Sequence, residues 1–361
     1  MATTDFSRVV NTTIETYLRE VEVDILRNRK LLAMLEAQGR ISTGWGGDEV
    51  KWPIRYKRAI PSGFDMGDTQ SFSQKDRWKT GVLPWHDYAV GDSITKKERL
   101  QNKGINAIVE VFTEMTDNLL DDMRENFCDE LYIDGNATGN SKRIHGIESF
   151  MGDDSGAAAG TKYVTPDDDY AGISTAPGDY GGSWTGTWPS GSGSAHYDFY
   201  SPTLINWSST AWVGSGSTTF DLTGEKALRQ GIIWAQRNKS ANGRLNMILM
   251  DADMYAALLA LYAAKERINV QRGEGTSLVS LGFTDVINFE GTEVTWEYGV
   301  PANTGYGFNV QQMGLRSLQD QMFVAEGPDY DIASKSWRFS VDFFGNAWFR
   351  PRYFARWENY A

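Results

Sequence analysis

Residues 105–131, INAIVEVFTEMTDNLLDDMRENFCDEL, carry the clearest structural signal in the chain. Ile105, Ile108, Phe112, Met115, Leu119, Met123, Phe127 and Leu131 recur at steps of three or four, which places them on one face of an α-helix. At 1.5 Å per residue that helix would run for about 40 Å. Its other face holds Glu110, Glu114, Asp117, Asp121, Asp122, Glu125, Asp129 and Glu130 against Arg124 alone. A solvated face accounts for such a row without any metal or catalytic role.

Upstream, apolar residues from Ile14 to Leu35 are spaced as in a helix over Thr13 to Gln38, with Gly39 as its stop. Gly44, Gly46 and Gly47 break that pattern. Two extended stretches follow, DEVKWPIRYKRAI (48–60) and RWKTGVLPWHDYAVGDSI (77–94), separated by a Gly/Asp/Ser interval. Together they predict a long β-hairpin over Glu49 to Arg99, with arms of about 15 to 25 residues where strands usually have about 5 to 6. An isolated ribbon of that kind is marginal in water, so it needs another surface, and a neighbouring subunit is the natural one. Residues 49–99 hold ten Lys or Arg and seven Asp or Glu, a net of +3 that leaves −15 for the rest. A basic ribbon on an acidic body is self-complementary.

Downstream, residues 151–217 turn to Gly, Ser, Asp and aromatics, which predicts loops and short strands outside the main core. A helix near Gly224 to Asn238, the buried strand RLNMILM (244–250), Asp251 as N-cap and the helix ADMYAALLALYAAKER (252–267) come next. SWRFSVDFFGNAWFRPRYF (336–354) alternates polar and aromatic residues as strands do.

The 361 residues are 41% hydrophobic, enough for a real core. A formal charge of −12 disfavours tight nucleic-acid binding, and the one cysteine, Cys128, excludes an intramolecular disulfide. The N-terminus lacks the pattern of a secretory signal, and no apolar run approaches the roughly 20 residues that span a bilayer. His86, His145 and His196 stand in three different zones with no partner at metal-ligand spacing. The segment from Asp134 to Asn140 opens like a calcium loop but carries His145 where a bidentate Glu is required. Neither a phosphate-cradling nor a dinucleotide-binding glycine motif is present, so no catalytic, cofactor-binding or metal residue is assigned.

The order of elements resembles the tailed-phage major capsid proteins of the Hong Kong 97 type. The resemblance rests on the break GWGGDEVKWPIRY, the basic hairpin, the helix ending in LYIDGNATGNSKRIHGI, the unit ILMDADMYAALLALY and the block FFGNAWFRPRYFARW. It implies an α+β fold with residues 1–47 as an N-arm, 48–100 as an extended loop and 101–220 as spine helix and peripheral domain with an insertion at 151–217. Residues 221–320 would form the axial domain and 321–361 the strands returning to the peripheral domain. It further implies a non-enzymatic subunit of pentamers and hexamers in an icosahedral shell around double-stranded DNA, assembled in the host cytoplasm without cofactors. The partners implied are the chain itself, a separate scaffolding protein, a portal and decoration proteins, with no membrane. The residues expected to reach a neighbour are Arg55, Lys57, Arg58, Lys75, Arg77 and Lys79. Lys57, Lys75, Asn346, Asn359 and Glu358 have the types that some members use in a covalent cross-link, but do not match that motif position by position. The alternatives are an encapsulin-like nanocompartment shell, a carbohydrate-binding or glycoside-hydrolysing protein built on the Trp and Tyr residues, and a phage tail or baseplate protein.

Overall fold

The computed structural model describes residues 29–59, 61–69, 72, 76–101, 111–153, 160–216, 218–237, 243–263, 285–319 and 321–360. Helix α1 (Lys30–Ala37) stops where the sequence predicts. Gly39 sits at φ 62° and donates to Glu36, and Arg40 donates to Leu35, which satisfies carbonyls at the helix end. The earlier part of that predicted helix lies outside the described residues. Strands β1 (Ile41–Trp45), β2 (Glu49–Arg55), β3 (Trp78–Pro84) and β4 (His86–Thr95) follow, then α2 (Lys96–Gln101) and α3 (Val111–Glu130). Short strands β5 (Tyr163–Val164), β6 (Asp169–Tyr170), β7 (Ile173–Ser174), β8 (Trp184–Thr185) and β9 (Ser192–Gly193) lead to β10 (Thr203–Asn206). The rest is α4 (Phe220–Ala235), β11 (Met247–Met250), α5 (Ala252–Ala263), β12 (Ile287–Phe289), β13 (Thr292–Trp296), β14 (Gly305–Phe308), β15 (Met313–Leu318), β16 (Val324–Asp331), β17 (Ser336–Phe349) and β18 (Ala355–Glu358).

Two sheets organise these elements. In the first, β17 pairs antiparallel with β4 along one edge and with β15 and β16 along the other, and β1 adds parallel to β15. Helix α3 packs across β4, β16 and β17 through Met115, Leu119, Met123 and Phe127, the stripe that the three-and-four spacing defines. Phe127 meets Phe343 of β17 at 4.7 Å between ring centroids. Each such buried side chain contributes about 1.5–3 kcal/mol. The six predicted residues before Val111, 105–110, lie outside the described ones.

The second sheet runs β12-β13-β11-β14-β18-β10-β5. Its two faces follow from strand alternation. Ile205, Ile248, Met250 and Trp357 turn to a cluster with Leu228 and Ile232 of α4 and Met254 and Leu258 of α5. Leu204, Met247, Leu249 and Phe308 turn the other way, into the cluster shared with α3 and the first sheet.

Three expectations change. The hairpin is shorter: β2 and β3 pair over seven residues each, and β4, expected in its second arm, lies instead on β17 for ten residues. β3 ends at Pro84, which has no N–H to continue a ladder, and the chain turns into the other sheet there. Residues 151–217 are not a surface insertion throughout. β10 lies between β18 and β5 with Leu204 and Ile205 fully buried, so this stretch supplies part of a sheet interior. The boundaries at 221, 320 and 361 also cut across pairing, because β15 belongs to the first sheet while β10 and β18 belong to the second.

Candidate assembly surface

The hairpin stem is tied to its own subunit. Val50, Trp52 and Leu83 face inward and are buried, and the Trp52 ring lies 6.3 Å from Tyr170 and 6.1 Å from Trp348. Gly81 passes directly under that indole, where a Cβ would come within 2.8 Å of it. Val82 donates its N–H to the Ala171 carbonyl. Farther out, Tyr56 meets Phe199 at 5.6 Å and Tyr180 at 6.0 Å. The Lys79 ammonium lies 5.8 Å and 5.6 Å from the rings of Tyr56 and Tyr180. The aromatics of the Gly-rich stretch therefore form a cradle for the stem.

Beyond the stem the described residues of the chain are open to solvent. Residues 61–69 are exposed, with Phe64 at 67%, Met66 at 101% and Phe72 at 92% of their full surface. The six predicted loop cations separate accordingly. Arg55, Lys57 and Arg58 are exposed, Arg77 and Lys79 are half-buried, and Lys75 lies outside the described residues. Positive charge belongs to the stem, since the tip from Lys57 to Asp76 holds three cations and three carboxylates. The tip is therefore neutral in charge and apolar in its exposed side chains.

At the hairpin root the structure joins residues that the sequence keeps apart. His86 and His145, 59 positions distant by numbering, bring their rings to 5.4 Å. Asn346 holds His145: its Oδ1 accepts the His145 backbone N–H at 3.1 Å, so its amide nitrogen donates to the Pro84 carbonyl at 2.8 Å and to His145 Nδ1 at 3.1 Å. Burial, then the neighbouring His86, push His145 down to about 4, against the opposing Asn346 hydrogen bond. Burial lowers His86 as well. A histidine kept neutral in this way stabilises the fold fully above about 6.5, and the contribution disappears as pH falls toward about 4. Thermal melts between pH 7 and pH 4 should show a loss of up to about 3 kcal/mol that His145→Gln lacks. Equal slopes in both proteins would remove the pair from that role. Asn346 is fully buried, which takes it out of reach as a cross-link acceptor, and Glu358 is held by Arg356 at 2.8 Å.

The acidic side of α3 is only partly the solvated face predicted for it. Arg29 bridges Glu125 at 2.6 Å and Asp129 at 2.8 Å, and Arg143 pairs with Glu130, which also accepts the Tyr88 hydroxyl. Next to Arg29, the Lys30 ammonium is buried among Asp285, Thr295 and the Trp296 carbonyl at 2.7–2.9 Å. Glu297, pushed up to about 7 by burial, accepts the Leu31 N–H. The start of the described chain is thus clamped to both α3 and the second sheet.

Two further buried arginines hold the body together. Arg237 at the end of α4 pairs with Asp198 at 2.7 Å and donates to the Ser201 carbonyl and the Thr203 hydroxyl. Arg356 in β18 gathers Glu148, Asp153 and Glu358. Asp251 accepts the Asn303 N–H, adding a loop contact to its place before α5. Burial raises the Cys128 thiol far above its ordinary range, so it is inert. Among the described residues no group of three or more His, Cys, Asp or Glu could hold a metal ion, and no helix is long and apolar enough to cross a membrane.

No protein-family model and no curated protein matches the sequence. Solved structures do match the fold. The capsid asymmetric unit of cyanophage A-1(L) superposes with a TM-score of 0.58 at 16% identity, covering 95% of this chain and 96% of that one. The chain has a phage-capsid fold. The capsid of the native GTA particle gives 0.57 at 10% identity, covering 96% of each chain, and that of cyanophage P-SCSP1u gives 0.53 at 12%, covering 97% and 94%. In each case the likeness to the capsid fold runs almost from end to end. The α+β architecture of the Hong Kong type expected from the order of elements is the one found.

Proposed function

We propose that the chain is a major capsid protein, a structural subunit that assembles with copies of itself into the pentamers and hexamers of an icosahedral shell enclosing double-stranded DNA. The observation that carries this reading is the match of 95% of the chain to a capsid fold. The apolar hairpin tip, where Phe64, Met66 and Phe72 are among the most exposed large apolar side chains of the described residues, supports it, because exposed apolar surface of that kind marks interaction sites. Arg55, Lys57 and Arg58 would flank the contact with a neighbour. The first sheet with α3 serves as the peripheral domain and the second with α4 and α5 as the axial domain, a division by pairing in place of the sequence boundaries. A scaffolding protein, a portal and decoration proteins, with assembly in the host cytoplasm, belong to the same reading. The glycan reading loses its basis, since Trp207, Phe199 and Tyr200 are buried and Trp184 stacks on Tyr197 at 5.2 Å.

Electron microscopy with size-exclusion chromatography of the expressed chain tests the proposal. Closed shells are expected. Tubes would indicate a tail protein, shells filled with a cargo enzyme and no DNA a nanocompartment, and a glycan-binding monomer the carbohydrate reading. A charge of −12 also predicts that the free subunit shows no measurable affinity for duplex DNA at physiological salt, as a wall past which DNA must slide requires. Tight binding with a steep salt slope, read by fluorescence anisotropy, would count against a capsid lumen.

A further inference from the structure

Where β4 passes into α2, a cavity of about 510 Å³ opens between Thr95, Lys96, Lys97, Leu100, Ser334 and Lys335. Its walls are fixed from within. The Lys96 N–H donates to the Lys335 carbonyl at 2.9 Å, and Thr95 is paired with Ser336 across β4 and β17. The Arg99 guanidinium lies 4.4 Å from the Trp337 ring, which packs on Tyr330 at 4.7 Å.

The nearby carboxylates are already used. Glu98 accepts the N–H and hydroxyl of Thr95, and Asp331 takes the Ala333 N–H, the Ser334 hydroxyl and Arg338. Lys96, Lys97 and Lys335 make no ion pair among the described residues. Lys335 stands at φ 56°, a left-handed conformation that glycine would adopt without strain, so the backbone here does not call for a lysine. Beside these ammonium groups Leu100 is 60% and Ile332 72% exposed. Apolar anchors rimmed by unpaired like charges are the makings of an interface with an acidic partner.

The same chain carries a surface of that chemistry. On α3, Glu125, Asp129 and Glu130 are paired, whereas Asp117, Asp121 and Asp122 make no ion pair among the described residues. Asp117 and Asp121 stand one turn apart, and like charges so placed destabilise a helix by a few tenths of a kcal/mol until a cation arrives. No ion pair among the described residues joins the aspartate row to the lysine corner within the chain.

We propose that the corner of Lys96, Lys97 and Lys335 docks on the Asp117, Asp121 and Asp122 row of a second copy, with Leu100 and Ile332 as its apolar anchors. The contact is heterologous, one patch against a different one, and such contacts close into rings or propagate around a shell. It rests on the capsid-subunit reading and adds an electrostatic contact separate from the hairpin tip.

Charge exchange tests it. Wild type is measured first, because a chain that forms neither rings nor shells there would refute the capsid reading itself. Given wild-type shells, Lys96→Glu/Lys97→Glu/Lys335→Glu and Asp117→Lys/Asp121→Lys/Asp122→Lys should each lower shell yield at least tenfold by sedimentation, with circular dichroism of a folded subunit. The two sets combined in one chain should restore yield to within about twofold of wild type. Unimpaired shells from either triple variant would overturn the pairing, as would a folded combined variant that stays unassembled. A combined variant that does not fold is replaced by mixing the two triple variants and reading mixed dimers and rings, since contacts between copies of one variant set like charges together whereas both contacts between unlike variants are complementary. Co-assembly of that mixture no better than each variant alone would equally overturn the pairing.

Discussion

Replacing Lys57–Asp76 with Asn-Gly should leave a folded subunit that forms no closed shells. Tyr56 donates its N–H to the Arg77 carbonyl, so the two residues already stand as the last pair of a ladder that a two-residue turn can close. The stem keeps Trp52 against Tyr170 and Tyr56 against Phe199, and these contacts anchor it. The deleted tip contributes little to the subunit, because residues 61–69 are exposed throughout. Three cations and three carboxylates leave together, so net charge stays at −12 and lost assembly cannot be assigned to charge. What disappears is the apolar surface of Phe64, Met66 and Phe72. Melting temperature should stay within a few degrees of wild type, while sedimentation and negative-stain microscopy at equal concentration show monomers or small rings. Normal shells would sink the extended-loop assignment. An unfolded product would place the tip inside the subunit core.

The parts of the fold legible in the sequence are those whose signal is periodic and local. Met115, Leu119, Met123, Phe127 and Leu131 are buried as their spacing requires, and MILM at 247–250 is a fully buried strand. Phe339, Val341 and Phe343 alternate inward along β17 in the same way. Partner choice is not local, and there the reading fails. β4 shows the alternation of a hairpin arm, but its partner begins at Ser336, and nothing near His86 says so. β10 is four residues in a Gly/Ser-rich stretch whose composition points to the surface, yet parallel pairing with β18 draws it into a sheet.

The charged constellations were hidden for the same reason. Arg29 meets Glu125 across 96 positions, and Arg356 meets Glu148 across 208. One signal was available: an arginine inside the apolar strand ARW at 355–357 cannot be buried without a carboxylate, nor an aspartate between Tyr197 and Phe199 without a cation. Such residues name a need without naming the partner. The two histidines illustrate the limit, since each taken alone fits a structural role and only the fold brings their rings together.

Arg237→Leu should be the most damaging single substitution in the body, costing about 3–5 kcal/mol. Asp198 has no solvent exposure, and Arg237 is the cation within hydrogen-bond distance of it, with Arg352 farther away at 3.7 Å. Losing the guanidinium strands that carboxylate and also leaves the Ser201 carbonyl and Thr203 hydroxyl short of a donor. These atoms sit where the Gly-rich stretch enters β10, so the damage should appear as release of that stretch from the second sheet. Hydrogen exchange should therefore rise first at Thr203–Asn206, and soluble yield should fall with it. Asp198→Leu added to Arg237→Leu should recover part of the loss, because the desolvated carboxylate is then gone. The double variant thus separates a stranded charge from lost packing. A single variant within about 1 kcal/mol of wild type by urea melting, below the range for a stranded buried charge, would show that residues 198–206 do not depend on this pair. The short strand would then be held by its pairing with β18 and β5, and the hairpin cradle formed by Tyr180 and Phe199 would need another anchor.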